Sequence, residues 1–213
     1  MAKTDIHTVY KIKSGQRVPS VTTVLGILNK PALLNWAWQC GIEGKDYKLV
    51  RDNAADIGTL AHYLIMCHLK GKTPDTSEYS AENINKAETC LIKYWEWEKE
   101  NKIEPILVEE SLVSEEYEFG GTIDCLALLN NQLILIDHKT GKAIYPEMAY
   151  QLAAYRQLLL ENGHKVMGAR ILRIGKNEDE GFEQRIFGNL DKQWELFLHC
   201  LVIYNLQKEL RRS

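Results

Sequence analysis

Up to about residue 102 the apolar positions of this chain recur every three or four residues; beyond it they bunch into short runs rich in Val, Ile and Leu. The first habit belongs to helices and the second to strands. In the first half, VPSVTTVLGIL (18–28) predicts a helix opened by Pro19 and Ser20, or by Thr22, with a hydroxyl capping free amides. Pro31 interrupts it and ALLNWAWQCG resumes it to Gly41. Further helices are predicted over 53–70, stopped by Gly71, and over 81–101. Ahead of them, VYKIK (9–13) alternates and reads as a short strand.

In the second half, PILVEESLVS (105–114), FGGTIDCLALL (119–129) and QLILIDHKT (132–140) are three strands in a row. YPEMAYQLAAYRQLLLEN (145–162) is a helix with Pro146 near its first turn, ending at Gly163. KVMGARILRIG (165–175) and FEQRIFG (182–188) are two more strands. The segment 191–212 is a closing helix with basic residues in its last turns. This order predicts one α/β domain over 1–213, mainly helical in 1–102, with the sheet core and its flanking helices in 103–213.

Composition adds exclusions. The 213 residues, 45% apolar and 26% charged, are those of an ordinary globular chain long enough to bury a real core. A formal net charge of −3 argues against a protein that coats nucleic acid over its whole surface, yet a local basic channel is compatible with it. No run of 18 apolar residues exists, so no membrane span is expected. The opening MAKTDIHTVYKIKSG lacks the apolar centre of a secretory signal. Five scattered cysteines (40, 67, 90, 125 and 200) without a CxxC pair read as reduced, mostly buried thiols in a cytoplasmic setting, with neither a disulfide frame nor a zinc site.

The candidate chemistry lies where strands carry charge. Asn130 and Asn131 between the second and third strands suit a two-residue hairpin. That turn sets Leu126 opposite Leu135 and Asp124 opposite Asp137, with Leu135, Asp137 and Lys139 on one face. The other face is apolar too, so the strand belongs inside a sheet covered on both sides. Two carboxylates so placed repel, and one would take up a proton unless something offsets the charge. Lys139 can offset one charge; a divalent cation with oxygen ligands, Mg²⁺ or Mn²⁺, can offset both. The plainer alternative is a structural Asp137–Lys139 pair with Asp124 solvated in a loop. Elsewhere, His62 falls on the stripe Ala55, Gly58, His62, Ile65, Leu69, where a histidine is more often a hydrogen-bonded core residue. Trp36, Trp38 and Tyr47 suit core packing before base stacking.

The segments GTLAH, GGTID, IDHKT and QLAAY, in that order, resemble the RecB-like branch of the PD-(D/E)XK nuclease superfamily, above all phage-encoded exonucleases and the mitochondrial genome maintenance exonuclease. The opening VPSVTTVLGILNKPALLNWA resembles the N-terminal segment of the phage group. The resemblance implies a restriction-endonuclease-like αβββαβ core with a mixed central sheet flanked by helices, plus extra N-terminal helices. It implies Asp124, Asp137 and Lys139 as catalytic residues, although Ile123 stands where the motif has proline. It implies metal ligation by His62, Asp124, Asp137, the main-chain carbonyl of His138 and an accessory acid at Glu109, with Glu110 as a rival for that place. Thr140, Lys142, Gln151 and Tyr155 would contact DNA. The iron–sulfur members carry three cysteines near the C-terminus; this chain has Cys200 alone there, so no iron–sulfur cluster is expected. The implied activity is Mg²⁺- or Mn²⁺-dependent hydrolysis of DNA, as an exonuclease on single-stranded or frayed ends in phage recombination, replication or repair. Phage recombination or replication proteins would be partners, in the host cytoplasm. An endonuclease or flap nuclease on the same fold, a non-catalytic DNA-binding module and a small-phosphoester hydrolase are the alternatives.

Overall fold

The change of period near residue 102 marks the passage from helices to sheet. The computed structural model describes residues 8–211. Helices α1 (Val21–Leu25), α2 (Pro31–Ile42), α3 (Tyr47–Leu69) and α4 (Ala81–Asn101) come first. Then follow β1 (Glu104–Ser114), β2 (Phe119–Leu129), β3 (Gln132–Lys139), α5 (Pro146–Glu161), β4 (Gly168–Ile174), β5 (Phe182–Phe187) and α6 (Asp191–Leu210). The strands lie in the order β1-β2-β3-β4-β5. All neighbours are antiparallel except β3 and β4, which run parallel. A parallel pair needs a crossover, and α5 supplies it. This is the mixed, helix-flanked sheet that the motif order implied.

Both faces of the sheet are covered. On one side α1, α5 and α6 pack over Phe119, Ile123, Leu126 and Leu135. On the other, α3 and α4 pack over Cys125, Ile134, Ile136 and Leu172. Double coverage is why β2 and β3 are apolar on both faces. At the end of α4, Trp97 Nε1 donates to Gln184 Oε1 at 2.6 Å and ties that layer to β5. All five cysteines are buried and unpaired.

Asn130 and Asn131 have φ of 51° and 61°, the two positive values that a type I′ turn requires. The register that follows pairs Leu129 with Gln132 and Leu126 with Leu135, as the turn predicts. Ser20 caps α1, its hydroxyl accepting from Thr23 N at 3.0 Å.

Some expectations fail, for physical reasons. Residues 9–13 form no strand; Lys11 makes one isolated bridge to Arg17 across a bend at Gly15 (φ 86°), too short to grow a ladder. α3 begins at Tyr47, capped by Asp46, which accepts from Lys48 N at 2.8 Å. Its first turns carry no apolar stripe because they join neither core: Leu49 is 70% exposed. The buried side of α3 runs through Ile57, Leu60, Ala61, Leu64 and Ile65; Ala55 is exposed and His62 sits half-buried at the margin. Trp38 is 68% exposed, Tyr47 is exposed and Trp36 half-buried, so core packing is the wrong reading for Trp38 and Tyr47. α2 contains no charged residue, yet Cys40 is the one residue it buries fully.

Two motif glycines mark where elements touch. A Cβ on Gly121 would lie 2.6 Å from Tyr155 Cε1, and one on Gly58 would lie 2.9 Å from Thr140 Oγ1. α5 can therefore lie against β2, and α3 against the end of β3, because these positions have no side chain. Gly121→Ala should lower stability by about 2 kcal/mol through overpacking. For a chain of this size that is a fall of roughly 4–8 °C in Tm. A thermal melt followed by circular dichroism checks it; an unchanged Tm would mean that the α5–β2 contact is slack.

Candidate active site

At the end of the β2–β3 hairpin remote from its turn, the ladder opens. Its last pair is Cys125 with Ile136, one short of the expected Asp124–Asp137 pair. Asp124 turns its carboxylate into the gap, where Oδ2 accepts the His138 amide at 2.7 Å. Toward β1, Val108 pairs with Cys125 and Glu110 with Ile123, so Glu109 and Asp124 stand level between those pairs and outside the ladder. Glu109 has φ 49°, a left-handed conformation that costs a residue with a Cβ about 1 kcal/mol or more. The pleat breaks at the same level. Ile123 packs in the α5 layer and Cys125 in the α3 layer, although residues two apart share a side in a regular strand. An irregularity of this kind re-aims side chains, here those of Glu109 and Asp124.

On β3, Asp137 is 1% exposed and His138 2%, while Lys139 is half-buried. Lys139 Nζ lies 2.6 Å from Asp137 Oδ2. Asp137 Oδ1 has no donor among the described residues, so the Lys139 ammonium is the one partner of this carboxylate. α3 brings in His62, whose Nδ1 is 3.5 Å from Asp124 Oδ2; His138 Nδ1 is 3.7 Å from the same oxygen. On α5, Gln151 Nε2 donates to Tyr155 Oη at 2.7 Å, and the Tyr155 ring is buried against Gly121. Thr140 follows, half-buried beside Gly58, and Lys142 is exposed, its charge acting on Glu43 just past α2. His62, Glu109, Asp124, Asp137 and Lys139 thus act on one another's charge, with Tyr155 under the influence of both aspartates.

The electrostatics are those of a crowded acid cluster. Burial pushes the Asp137 carboxyl up; Lys139 pulls against this and Asp124 adds to it, leaving the group at about 6. Burial, then the Asp124 charge, lifts Glu109 to about 7. Burial opposes the charge of Asp124 too, but His62, Lys139 and His138 together outweigh it and hold this carboxyl well below the usual range. In return Asp124 raises His62 against the effect of burial. Burial brings His138 down to about 4, so its imidazole is neutral at pH 7. Burial disfavours the Lys139 ammonium, yet Asp137 and Asp124 prevail and keep it charged. Burial and then the Asp137 charge keep the Tyr155 phenol neutral.

These residues fit a divalent cation. A carboxylate oxygen buried without a donor is costly to leave so, and a cation would satisfy it. Asp124, Asp137 and Glu109 supply hard oxygens, and the ligating atoms of His62, Asp124 and His138 lie within 4.8 Å of one another. Binding would displace protons from Asp137 and Glu109, whose folded values are raised. In the metal-free protein these two groups favour the folded state below the ordinary carboxylate range and cost stability as pH rises through about 6 and 7. Added Mg²⁺ or Mn²⁺ is therefore expected to raise Tm more at about pH 8 than at about pH 5.5. Calorimetric melts run in parallel check this; equal increments would place the two acids outside the binding site.

One group was given only a main-chain role by the motif resemblance: the side chain of His138 also faces Asp124, with Nδ1 3.7 Å from Oδ2. Strand alternation carried the signal, because a neighbour of Asp137 must face the α3 layer, from which His62 arrives.

No curated protein matches the chain. Among solved structures, a provisionally named exonuclease of Eubacterium rectale aligns at 14% identity and TM-score 0.49, over 73% of this chain and 66% of that one. LHK-Exo in complex with dAMP aligns at 14% and 0.42, over 75% and 86%. The alkaline exonuclease LHK-Exo of Laribacter hongkongensis aligns at 14% and 0.36, over 75% and 92%. The sequence profile of the PD-(D/E)XK nuclease superfamily matches residues 34–211, a span that holds all five strands and every side chain of the acid cluster, and the chain belongs to that superfamily.

Proposed function

We propose that the chain is a single-domain, divalent-metal-dependent deoxyribonuclease, acting as a sequence-tolerant exonuclease on single-stranded or frayed DNA ends. The observation that supports it most is Asp137: a buried carboxylate whose Oδ1 has no donor among the described residues, whose Oδ2 lies 2.6 Å from the Lys139 ammonium, and which Asp124 repels. Asp124 and Asp137 would hold Mg²⁺ or Mn²⁺, with His62, Glu109 and the His138 carbonyl as further ligands. Such an ion supplies a Lewis acid for the phosphoryl oxygen and a more acidic water. Lys139 offers a fixed positive charge to the oxygens that become more negative as the bond breaks, and can orient the attacking water. Gln151, Tyr155, Thr140 and Lys142 would contact the sugar–phosphate strand, which carries no sequence information. The exposed rings of Trp38 and Tyr47 add faces on which unpaired bases can stack. A role in phage recombination, replication or repair, in a host cytoplasm, is part of the same proposal and rests on the motif resemblance.

Single-stranded DNA labelled at either end, incubated with Mg²⁺ or Mn²⁺ and then with EDTA, tests the proposal. Short products released from an end, and arrested by EDTA, are expected. Internal cuts in a circular strand would make the protein an endonuclease or flap nuclease. Hydrolysis of mononucleotide esters with DNA left intact would make it a small-phosphoester hydrolase. DNA binding without metal-dependent loss would make it a non-catalytic module.

A further inference from the structure

We propose that the imidazole of His138 is itself a metal ligand, and that with His62 and Asp124 it makes a site selecting a transition-metal ion over Mg²⁺. The inference rests on the metal site proposed above and concerns which ion that site prefers. Three observations carry it.

The first is convergence. His62 Nδ1 and His138 Nδ1 approach the same oxygen, Asp124 Oδ2, at 3.5 and 3.7 Å. The three ligating atoms lie within 4.8 Å of one another. Ligands held at about 2.0–2.2 Å on a tetrahedral ion stand roughly 3.4 Å apart, so closure needs only small side-chain movement.

The second is the lack of another reason for this ring to be buried. His138 is 2% exposed. Its Nε2 has no hydrogen-bond partner among the described residues, and Nδ1 at 3.7 Å from Asp124 is too far for a hydrogen bond. Buried histidines that serve structure satisfy their nitrogens. This one holds Asp124 through its main-chain amide instead, at 2.7 Å, which fixes the carboxylate in front of its own ring.

The third is that the ring is held. It meets Tyr94 nearly perpendicularly, at 5.3 Å between centroids and 86°, and His62 likewise at 6.0 Å and 79°. Tyr94 is fully buried, so the imidazole has little room to turn away from Asp124. Two imidazoles and a carboxylate are a borderline donor set, suited to Zn²⁺, Co²⁺ or Ni²⁺, whereas Mg²⁺ keeps to oxygen.

The test uses the metal-free full chain, titrated by calorimetry with Co²⁺, Zn²⁺ and Mg²⁺. In parallel, electron spin-echo spectroscopy of the Mn²⁺-loaded protein counts directly bound nitrogens. Co²⁺ and Zn²⁺ should bind about a hundredfold or more tighter than Mg²⁺, and Mn²⁺ should show two imidazole nitrogens. His138→Phe keeps a ring against Tyr94; it should lose about tenfold or more in Co²⁺ and Zn²⁺ affinity, retain Mg²⁺ affinity and show one nitrogen. If that variant fails to fold, the nitrogen count of the unaltered protein decides alone. One nitrogen in the unaltered protein, or unchanged Co²⁺ affinity in the variant, overturns the inference and leaves the nuclease reading in place. Failure of the unaltered protein to bind any of these ions overturns both.

Discussion

Asp137→Asn is expected to abolish cleavage without lowering the melting temperature of the metal-free protein. Asparagine keeps the shape of the side chain and removes the charge. Loss of the proposed cation ligand, which also neighbours the amine proposed to act in cleavage, should cost at least about 10³-fold in single-turnover rate. The stability half of the expectation follows from the sign of the shift. A carboxyl raised to about 6 by burial favours the folded state while protonated, below the ordinary carboxylate range, and costs stability once pH passes its folded value. Asparagine resembles the protonated form at every pH, so the variant escapes that cost at about pH 8. DNA binding, read by gel shift, should persist. This pair of measurements also judges the plainer alternative of a structural Asp137–Lys139 pair. In that case the variant would melt lower and, once folded, cleave at the normal rate.

Lys139→Ala is expected to lose roughly 10²–10⁴-fold in cleavage rate while still binding the divalent ion. The ammonium stands 2.6 Å from Asp137 Oδ2 and carries its charge against burial because Asp137 and Asp124 hold it there. Removing it takes a positive charge away from the proposed cation site, so metal affinity at about pH 8 should stay the same or improve. Calorimetric metal titration beside a single-turnover assay separates the two effects. Cleavage at the unaltered rate would mean that Lys139 takes no part in the reaction, and lost metal affinity would mean that it holds the acids in place.

Much of this could be read along the chain, for identifiable reasons. Helix and strand periods differ, so the boundary near residue 102 was visible. Two asparagines between apolar runs set the β2–β3 register, because few turns allow two positive φ values in succession. The order of the four motif segments pointed to the residues that α3, β2, β3 and α5 bring together. What could not be read was geometry that breaks a rule. Alternation presupposes a regular ladder, and the ladder opens at Asp124 and is distorted at Glu109, so the facing pair of acids became a carboxylate turned into a gap. An uncharged segment such as PALLNWAWQCGI reads as buried wherever it sits, yet α2 stands largely in solvent. The first turns of α3 had no stripe to betray them because nothing among the described residues buries them. Gly58 and Gly121 were visible as letters, but their reason, the closeness of Thr140 and Tyr155, exists only in three dimensions.

The tight turn at Asn130 and Asn131 also bears on the order in which the chain gathers itself. Hairpin closure takes microseconds, whereas His62 must be brought in with α3 across a separation in sequence that holds α4 and β1. The two aspartates can thus become neighbours while water still surrounds and screens them. Their antagonism grows only as the helical layers shut over the strands. The burden of crowding them then weighs on the lifetime of the finished molecule more than on the speed with which it forms.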